Sequence, residues 1–171
     1  MRYAQFPLWI VSIFLLLTVL SIVLGAWIFF LIKFWLGIAF IVLNFVMLFV
    51  CMRYRCKYCC YYGKRCYMGL GKLAVIFKQG DAKEFSKTKN LVPALIFMMI
   101  TIFSPIIAGI ILLIVNFSWQ MLGLLIVYLL ITIIPNFFLK KKLCCDRCRQ
   151  GQLGCPAYEG MKGRKWMKSL K

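Results

Sequence analysis

The sequence predicts an all-α integral membrane protein with four transmembrane helices. Its 171 residues are 64% hydrophobic, well above the usual share for a soluble domain. The apolar residues fall in two long blocks, because residues 6–52 carry a single charge, Lys33, and residues 91–139 carry none. Runs of this length leave no polar face for water. They also lack the inward-polar alternation of a membrane barrel, so helices are the predicted elements.

Each block is about twice the roughly 20 residues that cross a bilayer as a helix, and each is therefore predicted to form a helical hairpin. The first hairpin turns near Lys33, between Trp27 and Trp35, and the second turns over residues 116–120. A cleaved signal peptide fits the first span less well, since its apolar stretch is too long and its basic leader is only Arg2. The predicted spans are 7–29, 34–52, 92–115 and 119–139.

Three prolines bear on the third and fourth spans. Pro93 is expected in the first turn of the third span, where its missing N–H has no helical partner to lose. Pro105 lies in the middle of that span and Pro135 near the end of the fourth. Each of these two removes a backbone donor and is expected to kink its helix.

The basic residues predict the orientation. The chain carries 22 Lys and Arg against 4 Asp and Glu, a formal net charge of +18. Ten basic residues lie between Arg53 and Lys89 and ten between Lys140 and Lys171, so only Lys33 falls on the other side. Because short cytoplasmic flanks are rich in Lys and Arg, both termini are predicted to lie in the cytoplasm, at the cytoplasmic membrane. Anionic lipid headgroups, rather than nucleic acid, are the expected partner of these charges.

The chain is predicted to consist of two similar halves. Both hairpins begin and end on the cytoplasmic side, so they are parallel repeats related by a pseudo-two-fold axis along the membrane normal. That axis would place the two cysteine-rich segments that follow the hairpins on one face. In chain order the segments are repeat 1 at residues 1–66 with its cysteine module at 53–66, an interfacial or cytosolic linker at 67–90, repeat 2 at 91–155 with its cysteine module at 140–155, and a basic tail at 156–171.

The spacing Cys-x2-Cys-x6-Cys occurs once in each module. Cytosolic thiols are kept reduced, which favours metal ligation over a disulfide framework. The surrounding Lys and Arg are expected to lower the thiol pKa values and so favour the thiolate that binds metal. The candidate metal ligands are Cys56, Cys59 and Cys66 in the first module and Cys145, Cys148 and Cys155 in the second.

Three sulfurs do not complete a tetrahedral site, and the sequence leaves two arrangements open. Each module can add its neighbouring cysteine, Cys60 or Cys144, to give two four-thiolate sites. Alternatively, the two Cys-x2-Cys pairs can form one shared site, as in zinc ribbons; the ligands would then be Cys56, Cys59, Cys145 and Cys148. Zinc is the predicted cofactor, and an iron–sulfur cluster is the alternative because it uses the same sulfurs.

Two further roles for the cysteines stay open at this point. Reversible palmitoylation targets cysteines beside membrane spans, and Cys51, Cys56, Cys59 and Cys60 lie at that depth. Redox-active dithiol chemistry also uses Cys-x2-Cys, but no thioredoxin-like βαβ pattern surrounds either copy. The repeated spacing favours metal ligation over both.

The composition argues against catalysis and ion transport. The sequence contains no histidine and no acidic residue within a predicted span, so the usual groups for acid–base catalysis and ion conduction are absent. The polar residues of the spans are expected to hydrogen-bond between helices; they are Ser12, Thr18, Ser21, Asn44, Thr101, Ser104, Thr132 and Asn136.

The sequence therefore favours a non-enzymatic accessory or scaffold component of the membrane. Its metal centre would hold the cytosolic face together and present that face to a protein partner. Two alternatives remain. One is an iron–sulfur redox subunit that exchanges electrons with a quinone, and the other is a transporter of a soft metal or a small apolar molecule.

Overall fold

Four long helices dominate the fold. The structure is a computed structural model, and it describes residues 3–115, 117–153, 155 and 158. In this described part of the chain no strand forms, so the all-α prediction is confirmed. The basic tail predicted at 156–171 lies outside the described residues, apart from Tyr158. The long helices are α1 (Leu8–Ile32), α2 (Phe34–Tyr54), α3 (Thr88–Val115) and α4 (Trp119–Ile134).

The helices are long and apolar enough to cross a membrane four times. Most of the residues in these stretches are not buried inside the bundle, and large apolar side chains cover its outside. A surface of this kind matches lipid rather than water. The stretches run beyond the predicted spans; they are Leu8–Ile32, Phe34–Tyr58, Lys89–Val115 and Trp119–Arg147.

The turn of the first hairpin lies at Lys33, as the sequence predicts, but it consists of this one residue, because α1 continues beyond the predicted span end at 29. Lys33 is extended, with φ −156° and ψ 141°, between the end of α1 and the start of α2. Its amide donates to the carbonyl of Phe29 at 3.1 Å, and its carbonyl accepts from the amide of Leu36 at 3.0 Å. In the second hairpin Phe117 and Ser118 precede α4, while residue 116 lies outside the described residues.

The prediction for Pro93 is wrong. α3 begins at Thr88, so Pro93 lies inside the helix rather than in its first turn. The earlier start has a local cause, since the Asn90 side chain donates to the carbonyl of Glu84 at 2.9 Å and ties the first turn of α3 to the linker. Pro105 lies within α3, as predicted.

Pro135 changes the type of helix. α4 ends at Ile134, and a π-helix, Pro135–Cys144, carries the chain into the second module. Proline has no N–H to donate to the carbonyl four residues earlier, so the α-helical ladder is interrupted there and the wider hydrogen-bond pattern follows. The expected distortion at Pro135 thus takes the form of a π-helix.

The helix contacts follow a simple pattern. α1 and α3 each contact all three other long helices, and α2 and α4 each pack against α1 and α3. Exchanging the first hairpin with the second leaves this pattern unchanged. We call the end of the bundle that carries Cys51–Cys66 and Cys144–Cys155 the cysteine end.

The start of the chain forms part of the cysteine end. The amide of Tyr3 donates to the carbonyl of Arg147 at 3.2 Å, and the amide of Phe6 donates to the carbonyl of Arg65 at 3.0 Å. The segment before α1 is therefore bonded to both modules. It also supplies part of a buried cluster, which consists of Phe6, Ile10, Phe14, Tyr61 and Cys144.

Candidate functional site

The two Cys-x2-Cys turns have the same local conformation. Each is a short 3₁₀ turn, Cys56–Tyr58 in the first module and Cys145–Arg147 in the second. In each, the amide of the second cysteine donates to the carbonyl of the first, at 3.2 Å and 3.3 Å respectively. The second cysteines, Cys59 and Cys148, both have φ of −82°. Equal spacing in the sequence thus produces equal backbone geometry.

Reciprocal hydrogen bonds join the modules. The amide of Cys60 donates to Oε1 of Gln150 at 2.8 Å, and the amide of Arg149 donates to the hydroxyl oxygen of Tyr61 at 3.2 Å. Cys60 and Arg149 hold the same position in their modules, one residue after the turn, and Tyr61 and Gln150 hold the next. Each module therefore offers an amide to a side chain of the other. Both acceptor side chains are almost fully buried, with 2% and 1% exposure.

One cavity of about 440 Å³ lies between the modules and continues into the bundle. All nine cysteines are free thiols, and all except Cys60 line this cavity. Cysteines of both modules thus face one space. Those that line it are Cys51, Cys56, Cys59, Cys66, Cys144, Cys145, Cys148 and Cys155.

The modules also touch through their sulfur-bearing side chains. Cys144 is buried, and Cys59, Cys60, Cys66 and Cys148 pack against the cluster that contains it. With the side chains as they stand, no three Cys, Asp or Glu side chains among the described residues form a group that could hold a metal ion. Metal binding would therefore require the thiols to turn from their present positions toward a common point in the cavity.

Burial affects the pKa values of most of these thiols more than nearby positive charge does. Burial raises the pKa of Cys66 and the pKa of Cys148. A side-chain hydrogen bond between Cys59 and Cys60 raises the pKa of Cys59, as burial also does, and the same bond lowers the pKa of Cys60. The expectation of lowered thiol pKa values is thus wrong for Cys59, Cys66 and Cys148. At Cys59 the hydrogen bond with Cys60 is the larger cause, and at Cys66 and Cys148 loss of water disfavours the charged thiolate.

Backbone amides donate hydrogen bonds to the sulfurs of Cys66 and Cys148. The amide of Gly71 donates to Sγ of Cys66 at 3.3 Å. For Cys148, burial raises the pKa most, and hydrogen bonds from the backbone of Gln150 and Gly151 act in the opposite direction. Hydrogen bonds to sulfur orient and tune thiolate ligands in metal centres.

Gly71, in the linker, packs closely against the backbone of the first module. A Cβ at this position would collide with the carbonyl oxygens of Lys64 and Tyr61. Its own carbonyl accepts from the amide of Gly63 at 2.9 Å. A side chain at Gly71 would therefore displace the loop that carries Cys66.

Positive charge lines the cavity near the thiols. Arg55 and Lys140 are lining residues, and in the described part of the chain no carboxylate is. The Arg55 guanidinium lies 4.0 Å from the ring centroid of Phe85, and the Lys140 ammonium lies 5.4 Å from that of Tyr67. The wall of the cavity therefore favours a group with net negative charge.

Gln150 provides a second indication of a bound group. The residue lines the cavity, and its Nε2 is buried without a hydrogen-bond partner among the described residues. A buried donor of this kind is normally paired, and an acceptor in the cavity would pair it.

The structure brings seven of the eight candidate ligands to the cavity and leaves out Cys60. Four residues of the site were not predicted from the sequence as site residues; they are Tyr61, Gln150, Arg55 and Lys140. Tyr61 and Gln150 hold equivalent positions after the two turns, and this equivalence is the one sequence signal that could have identified them.

Comparison with known proteins found no matching family model, no matching curated protein and no matching solved structure.

Proposed function

We propose that the cysteine end holds one thiolate metal centre, shared by the two modules, in an accessory component of the membrane. The observation that carries this proposal is the single cavity lined by cysteines of both modules. The centre would tie the ends of the two hairpins together and give the protein a rigid face for a partner. Zinc is the leading metal, because four thiolates in tetrahedral geometry are a common structural zinc site.

The shared arrangement is favoured over two separate sites. A separate site in the first module would need Cys60, which does not line the cavity. The reciprocal bonds between Cys60 and Gln150 and between Arg149 and Tyr61 support a pseudo-two-fold axis through the site, as does the symmetric pattern of helix contacts. The proposed core ligands are Cys56, Cys59, Cys145 and Cys148, with Cys66, Cys144 and Cys155 close by.

The charge of the cavity wall fits such a centre. Zinc with four thiolates carries a net charge of about −2, since each ligating thiol is deprotonated. Arg55 and Lys140 would offset that charge, and the free N–H of Gln150 would donate to a ligand sulfur, which is how outer groups stabilise metal ligands. These residues therefore match an anionic sulfur centre better than a bare cation.

The proposed orientation places the cysteine end in the cytoplasm. The basic residues of both modules and of the linker support it, because positively charged flanks stay on the cytoplasmic side. The reducing cytosol would then keep the thiols available for metal.

Anaerobic purification, followed by elemental analysis and an absorption spectrum, tests the proposal. Zinc in a colourless protein is the expected result. A visible absorption that bleaches on reduction, together with iron, would support the second candidate, an iron–sulfur redox subunit. The continuation of the cavity into the bundle favours that candidate, because a lipid-soluble electron carrier could approach the centre from there. A preparation with neither metal would contradict both.

Zinc affinity is expected to rise steeply with pH. The pKa values of Cys59, Cys66 and Cys148 are raised in the metal-free protein, so these thiols are protonated near neutral pH and must lose protons to ligate. Each proton released strengthens apparent binding by about tenfold per pH unit. Competition with a chromophoric chelator at pH 6.5 and 7.5, corrected for the chelator's own protonation, measures the slope. An affinity independent of pH would show that thiolates are not the ligands.

A further inference from the structure

The cavity continues from the cysteines into the middle of the four helices, where uncharged polar side chains line it. Each long helix, or its direct continuation, supplies at least one. We call these six residues the polar belt; they are Thr18 and Ser21 of α1, Asn44 of α2, Thr101 of α3, Thr132 of α4 and Asn136 of the following π-helix. Lipid offers such side chains no hydrogen-bond partner, so each must find one within the protein or in a bound molecule.

Among the described residues the belt forms no hydrogen bond between helices, so the expectation of interhelical bonds is wrong for these six residues. The hydroxyl of Thr18 donates to the carbonyl of Phe14 at 2.7 Å, and that of Thr101 donates to the carbonyl of Phe97 at 3.0 Å. A carbonyl one turn earlier in the same helix is the nearest acceptor for such side chains. The other four make the same kind of bond at 2.7 to 2.8 Å; they are Ser21, Asn44, Thr132 and Asn136.

These bonds leave the belt rich in acceptors. Each hydroxyl has already donated its single proton, so its oxygen is left to accept. The two asparagines donate through Nδ2 to their own helices and keep Oδ1 as an acceptor. Pro105 adds one more acceptor. Because proline has no N–H, it donates no helical hydrogen bond to the carbonyl of Thr101, four residues earlier.

We propose that the polar belt binds a neutral, lipid-soluble molecule whose polar head donates hydrogen bonds, such as a long-chain phenol or hydroquinone. The whole cavity, about 440 Å³, has the size of a small-molecule site, for which roughly 300–1,000 Å³ is usual. Hydroxyl donors would pair with the acceptors of the belt, and the apolar wall around it would contact the rest of the molecule. A head with acceptors alone would leave those oxygens unpaired, which weakens binding.

Three probes with the same dodecyl chain test this selection: dodecylhydroquinone, its dimethyl ether and dodecylbenzene. Binding to the full chain in lipid nanodiscs is measured by native mass spectrometry, with empty nanodiscs as background. The hydroquinone is expected to bind saturably and at least about five-fold more tightly than the ether, the ratio that one hydrogen bond supplies. Equal binding of the three probes, or none above background, would overturn the proposal.

A matched pair of serines on α1 locates the site. Ser21 lines the cavity, whereas Ser12 is exposed on the outside of the bundle and does not. Ser21→Ala is expected to weaken hydroquinone binding by about five-fold, and Ser12→Ala to leave it unchanged. Asn44→Leu should weaken binding at least as much. Binding by Ser21→Ala and Asn44→Leu at the wild-type level would place the ligand elsewhere and contradict the proposal.

This inference stands apart from the metal centre. Ser21→Ala is expected to keep the full metal content, because Ser21 lies in α1 away from the modules, and alanine suits a helix interior. Loss of hydroquinone binding with metal retained would assign the belt its own ligand. Metal content in the wild type is measured on the same sample, so that failure of one proposal is distinguished from failure of the other.

Discussion

Cys148→Ser is expected to remove the whole metal centre rather than half of it. Cys148 belongs to the second module, yet it packs with Cys59 and Cys66 of the first around one buried cluster. If the two modules share one centre, loss of either Cys-x2-Cys pair leaves the other without a complete ligand set. Affinity should fall by more than the roughly 10- to 100-fold that loss of an outer-shell partner costs. Elemental analysis of the purified variant measures how much metal it retains.

Cys60→Ser is the matched control for this variant. Cys60 is also a cysteine of the cysteine end, but it does not line the cavity, so the variant should keep its metal. Retention of half the metal by Cys148→Ser, or loss of half the metal in Cys60→Ser, would indicate separate sites that each recruit a neighbouring cysteine.

Gly71→Ala is expected to disrupt the first module and lower both stability and metal content. The added Cβ would collide with two backbone carbonyls, of Lys64 and Tyr61, which cannot move aside as a flexible side chain can. Forcing an extra methyl into a packed region costs about 1–3 kcal/mol. The shift would also break the bond from the Gly71 amide to the Cys66 sulfur. Thermal unfolding in detergent, followed by metal analysis, detects both losses.

Gly123→Ala controls for the change of residue type. Apart from its own helix backbone and chain neighbours, no heavy atom of the described residues lies within 4 Å of a Cβ built at Gly123, and alanine is the better helix former. This variant should therefore match the wild type or exceed it in stability and keep its metal. Equal behaviour of the two alanine variants would show that the close packing at Gly71 is not needed for the site.

The helices of this fold could be predicted because lipid imposes a simple demand on the sequence. Two blocks with almost no charge give helices that are long and apolar enough to cross a membrane, and Lys33 marks the first turn. The ends of the helices were harder to predict. The Asn90 side chain extends α3 toward the linker, and Pro135 converts the end of the last span to a π-helix. Both helix ends depend on local hydrogen bonding, which cannot be read from the length of an apolar block.

The site was predictable in its ligand types and not in its surroundings. The repeated spacing pointed to the cysteines, but the pKa shift expected for three of them is reversed. A hydrogen bond with Cys60, together with burial, reverses it at Cys59, and burial reverses it at Cys66 and Cys148; both causes follow from tertiary packing. The contribution of the N-terminal segment was missed, although Phe6, Ile10 and Phe14 recur at helical spacing and so mark one face. The polar belt was misjudged because sequence alone cannot separate bonds within a helix from bonds between helices.

The metal-to-protein ratio of the wild-type chain, purified without oxygen and measured with a quantitative amino-acid analysis, tests the shared centre most directly. One zinc ion per chain is the predicted result. Two ions per chain would mean that each module binds its own metal, and a ratio near zero, with iron also absent, would mean that the converging thiols serve some other purpose.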